Sequence, residues 1–99
     1  MADFKVTTSV LRAQADELTD LNARFRSSVE KLVTSEASLN SMWDGEANDA
    51  FHAAFNTDKS KMDQFYNLIM QYIERLRTIA LRYEQTEQAN TEIATSRTY

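Results

Sequence analysis

The chain has 99 residues, with no proline, a single glycine and no cysteine. One domain is expected at that length, almost nothing interrupts a helix, and disulfide and thiolate chemistry are excluded. Eleven basic and fifteen acidic residues give a formal net charge of −4, and the basic ones are scattered, which argues against a nucleic-acid partner.

The opening segment, Met1-Ala2-Asp3-Phe4-Lys5-Val6, lacks the apolar stretch of a cleavable signal peptide. No run reaches the roughly 18 apolar residues that a membrane span requires. A protein of this kind that leaves the cell needs a route that reads the folded or partly folded chain. Thr7 or Thr8 suits an N-cap, where a hydroxyl accepts from the first free amides of a helix.

The first helix is expected over about 8–41. Leu11, Leu18, Phe25, Leu32 and Leu39 recur every seven residues, and Ala15, Leu21, Val29 and Val33 widen the same face. Together they span an arc of roughly 140°. Asp16, Asp20, Arg24, Arg26, Ser27 and Lys31 occupy the opposite, wet face.

The pattern breaks at a turn over about 42–45, which holds Trp43 and Gly45, the only tryptophan and the only glycine. Glycine suits the left-handed position that ends a helix, with Asp44 or Asn40 helping to cap. Glu46 stands where the next helix begins and its dipole favours an anion.

The second helix is expected over about 46–88. Phe55, Met62, Ile69, Leu76 and Tyr83 form a second seven-residue ladder, and Phe51, Phe65, Tyr72 and Ile79 a companion row. The apolar arc is roughly 160° wide. The tail, about 89–99, is rich in Thr, Ser, Gln and Asn without a stripe, so it is expected to fray.

Two such helices folded back at Gly45 make an all-α antiparallel hairpin, with facing residue numbers summing to about 88–90. A two-helix seam needs only a narrow stripe, and these stripes are wider. The surplus apolar width predicts a second molecule and, for two hairpins, a four-helix bundle. Leu11, Leu18, Phe25, Leu32, Leu39, Phe55, Met62, Phe65, Ile69 and Leu76 are the expected core and dimer stripe. Asn22, Glu36 and Asp58 interrupt the stripes; they are read as edge residues with solvated tips, or else as residues that set register.

Chemistry-bearing patterns are missing. His52 has no metal-ligand spacing around it and reads as a surface or helix-flank histidine, and the serines have no positioned histidine. Without a glycine-rich phosphate loop or a calcium loop, no enzyme, metal or cofactor is expected.

A chain of this length, with two long stripes, a central Trp43-Asp44-Gly45 and a Tyr83-Glu84-Gln85-Thr86-Glu87 segment after the second stripe, resembles the WXG-motif family. These are small early-secreted-antigen-like (ESAT-like) substrates of bacterial type VII secretion, which also carry a Tyr-x-x-x-Asp/Glu signal; Glu87 supplies the acid here. The resemblance covers about residues 8–88, although Thr8-Ser9-Val10 stands where the family often has Thr-Pro-Glu-like capping. It implies a non-enzymatic, virulence-associated protein made in the bacterial cytoplasm and exported as a dimer, to act as effector, adaptor or secretion component. It also implies that Trp43 and Gly45, with Tyr83 and Glu87, form the two halves of an export signal read by the secretion ATPase and membrane machinery. Carrying both halves makes a homodimer the first reading and a paralogous WXG-type partner the second. Trp43 and Tyr83 lie on the order of 55–60 Å apart along a hairpin, so only a second, antiparallel chain can join them. The competing expectations are a membrane-active amphipathic protein, against which the acidic balance argues, and an intracellular helical adaptor.

Overall fold

The computed structural model describes residues 7–96, with side chains from Thr7 to Thr91. Helix α1 runs Thr8–Met42 and helix α2 runs Glu46–Ser96, and no strand occurs among the described residues. Thr7 is the N-cap of α1: its backbone is extended, and its Oγ1 accepts from the Val10 amide at 3.3 Å.

The reversal takes three residues. Trp43 turns extended (φ −127°, ψ 111°) and stops α1, and Gly45 takes φ 118° directly before α2. Glycine therefore opens the second helix instead of closing the first, and its carbonyl accepts from the Asp49 amide at 3.1 Å. A Cβ at Gly45 would meet nothing within 4 Å, so the requirement is conformational, not steric. Asn48 Nδ2 donates to Asn40 Oδ1 at 2.8 Å and ties the two helix ends together. Glu46 and Asp49 stand in the first turn of α2, where its dipole favours them.

The second helix does not end near 88. It spans 51 residues and continues to Ser96 through the first part of the expected tail; 97–99 lie outside the described residues. Loss of an apolar stripe removes packing but not the backbone ladder, and no glycine or proline interrupts it.

The molecule is a rod of 84 × 23 × 22 Å with a radius of gyration of 22.8 Å, against about 13 Å for a globular domain of this length. Each helix has one helical neighbour, so the core is thin. Among the described residues the buried hydrophobic side chains are Ala15, Val29, Ile73 and Ala80.

Facing residue numbers sum to 88 along the seam: Asn22 Nδ2 donates to the Tyr66 carbonyl at 3.1 Å, Glu36 pairs with His52, and Asn40 with Asn48. The seam centre on α1 is Ala15, Asn22, Val29 and Glu36, one helical row away from the Leu/Phe ladder. Asn22 (3% exposed) and Glu36 (7% exposed) therefore lie in the middle of the seam, correcting the expectation of solvated edge positions. Asp58 is exposed. Small and polar residues let the helices approach and push the larger side chains to the margins. Leu11, Leu18 and Phe25, with Phe55, Met62, Ile69 and Leu76, are half-buried there, while Leu32, Leu39 and Phe65 are exposed.

Candidate functional site

The two long faces of the hairpin differ. One is polar and cross-linked. Arg12 donates Nε and Nη2 to Glu84 Oε1 and Oε2 at 2.8 and 2.9 Å. Arg77 reaches Asp16 at 3.1 Å and Thr19 at 3.3 Å, and the Arg26 guanidinium lies 5.0 Å over the Tyr66 ring. The hydrogen bonds and charge of Arg12 hold the Glu84 carboxyl below its usual range, and Glu84 in turn raises Arg12.

The other face is apolar and open. Leu21, Leu32 and Leu39 of α1 and Phe51, Phe65, Tyr72 and Ile79 of α2 are each between 40% and 51% exposed. Phe25 and Phe65 meet edge-on with centroids 5.3 Å apart, and a shallow groove between the helices is lined by Leu18, Leu21, Asn22, Phe25, Phe65 and Ile69. Rows of Leu, Phe, Tyr and Ile on one side of a rod form the kind of surface that associates with another molecule.

The motif residues sit at opposite ends. At the turn, Trp43 is half-buried and leans on Phe51, with ring centroids 5.9 Å apart, beside Gly45. At the open end, Tyr83 is 48% exposed and Glu87 is exposed. Glu87 takes part in no ion pair among the described residues. The sequence spacing suggests that Tyr83 packs as the last rung of its ladder. Its ring is instead half in solvent, because the 88 register puts it beyond Thr8, the first residue of α1. Nothing in one chain brings Trp43 to Tyr83 or Glu87.

His52, read as a surface or helix-flank histidine, keeps its side chain 41% exposed, and from there its Nδ1 pairs with the buried Glu36 carboxylate, a partner that the spacing around it did not mark. The signal was present in the numbering, because 36 and 52 sum to 88, but only the register makes it legible. No signal marked Arg12–Glu84, which lies diagonally across the seam. Among the described residues no cluster of three or more His, Cys, Asp or Glu side chains could hold a metal ion. Among the described residues no helix is long and apolar enough to cross a membrane.

Comparison with known proteins gives concordant matches. The family model described as proteins of 100 residues with WXG matches residues 3–88, a span that takes in the turn, Tyr83 and Glu87. An ESAT-6-like protein of Streptococcus agalactiae serotype V is 30% identical over 87 residues, covering 88% of this chain and 91% of that relative.

Proposed function

The chain belongs to the WXG100 family, and from that premise we propose that it is a non-enzymatic helical hairpin exported as a dimer by the bacterial type VII secretion system. The observation that carries this reading is the one-sided apolar face, with Leu32 and Phe65 each 50% exposed. A hairpin whose own seam is built from Ala15, Asn22, Val29 and Glu36, while its large side chains line an outer face, is half of a bundle.

A second copy laid antiparallel on that face supplies the missing half. The turn of one protomer, with Trp43 and Gly45, then lies beside Tyr83 and Glu87 of its partner. Two such composite surfaces form by symmetry, and these are what the secretion ATPase and membrane machinery read. Outside the cell the protein serves as effector, adaptor or component of secretion.

Native mass spectrometry of the purified chain is expected to give a homodimer; a folded monomer would point to a paralogous WXG-type partner. Trp43→Ala and Glu87→Ala are expected to remain helical and to disappear from the culture supernatant. Secretion of both variants at the wild-type level overturns the export role of these residues.

A further inference from the structure

Register sets a limit on how far α1 can hold α2. Thr8, the first residue of α1, faces the level of Ala80. Beyond that level α2 continues through Tyr83, Glu84 and Glu87, and Leu81 and Tyr83 are already half-exposed. A helix end with little buried apolar contact opens readily. Yet this end carries a fork: the Arg12 guanidinium holds both Glu84 oxygens from 72 positions away in sequence. A planar guanidinium on a carboxylate sets rotation as well as distance, which a lone ammonium does not. Glu84 is adjacent to Tyr83 and three residues before Glu87, and Tyr83 and Glu87, four apart, share one face of the helix. Whatever sets the rotation of Glu84 sets the direction in which that face points.

We propose that Arg12 is a positioning residue for the Tyr83–Glu87 pair, holding this stretch of α2 ordered and at a set rotation against α1 through its bidentate contact with Glu84. The inference rests on the export reading above. It adds a determinant in the second turn of α1, far in sequence from either half of the signal. Arg77, on Asp16 and Thr19, braces the helices lower down through a single nitrogen and does not reach the motif. The rival is an ordinary surface ion pair of no consequence.

The test uses the full chain expressed in a secreting host. Hydrogen exchange on the purified protein is expected to show amides 83–91 several-fold faster in Arg12→Ala than in wild type, with amides 66–76 unchanged. Exported fractions are compared for Arg12→Ala, Glu84→Ala, Arg12→Lys, the charge-swapped pair Arg12→Glu with Glu84→Arg, and Glu87→Ala. The expected result is a several-fold loss for both alanine variants, incomplete recovery with lysine, and restoration by the swap. Wild-type export of Arg12→Ala and Glu84→Ala while Glu87→Ala is blocked overturns the positioning role and leaves the export reading standing. Normal export of Glu87→Ala overturns the positioning role together with the export role of Glu87. Unchanged exchange at 83–91, or a swap that fails to restore export, also overturns the proposal. Arg12→Lys keeps the charge and serves as the folded control if Arg12→Ala does not fold.

Discussion

Glu36 occupies a seam position where the heptad pattern asks for an apolar side chain, and it is 7% exposed. A carboxylate there requires a partner, and His52, the only histidine, supplies it from the facing helix. The cost of losing that partner is discounted because the His52 side chain is itself partly in solvent. His52→Ala is expected to destabilise the hairpin by about 1–3 kcal/mol, read as a lower urea midpoint, because it strands a buried acceptor. Replacing both Glu36 and His52 with leucine is expected to be neutral or stabilising by urea titration, since an apolar pair carries no desolvation cost. Asn22 and Asn48 each keep a buried Oδ1 without a hydrogen-bond partner. Their amide donors, to the Tyr66 carbonyl and to Asn40, suit residues that fix register at some expense of stability.

At the scale of the helices, α1 and α2 are unequal. α1 has 35 residues and α2 has 51, so α2 outreaches its partner at the open end. Among the described residues the last ion pair across that end is Arg12–Glu84, which makes order there depend on acidity. The Glu84 carboxyl is held below its unperturbed value of 4.5 by the Arg12 hydrogen bond. Its stabilisation is therefore complete above the unfolded value and is lost as pH falls through the lowered folded one. Acid titration followed by amide exchange is expected to leave residues 83–91 protected at pH near 5 and to release them well below 4.5, ahead of the seam around Asn22 and Tyr66. Release of this end at neutral pH would show that the fork does not hold it.

Among the described residues thirteen large hydrophobic side chains are exposed while four hydrophobic residues are buried. So small a buried core along a molecule 84 Å long is little for a structure that stands alone. The proposed dimer meets that deficit, and it assigns the two faces different work: the polar face closes the hairpin, and the apolar face closes the bundle. Phe65→Ser combined with Tyr72→Ser is therefore expected to abolish the dimer in sedimentation while far-UV circular dichroism stays helical at low temperature. The same exchanges at Asp20 and Arg24, a solvated i,i+4 pair away from the apolar face, are expected to change neither. A dimer that survives loss of both aromatic rings would place the interface elsewhere.

The sequence by itself determined the helices, the reversal at Trp43-Asp44-Gly45 and the family, because each is a local pattern: helical periodicity, a lone glycine, and a pair of short motifs at set spacing. It also contained the 88 register, which follows from where the turn falls. Tertiary structure alone decided which helical row became the seam. Leucine and phenylalanine spacing pointed to one row, but the row of smaller and polar side chains, Ala15, Asn22, Val29 and Glu36, went inside, with Glu36 paired to His52, and the large residues went to the margin. The same packing choice gave the half-exposed His52 its partner in Glu36 and put Arg12 within reach of Glu84. Such contacts depend on the azimuth of two helices about each other, and a single helix's periodicity does not contain that angle.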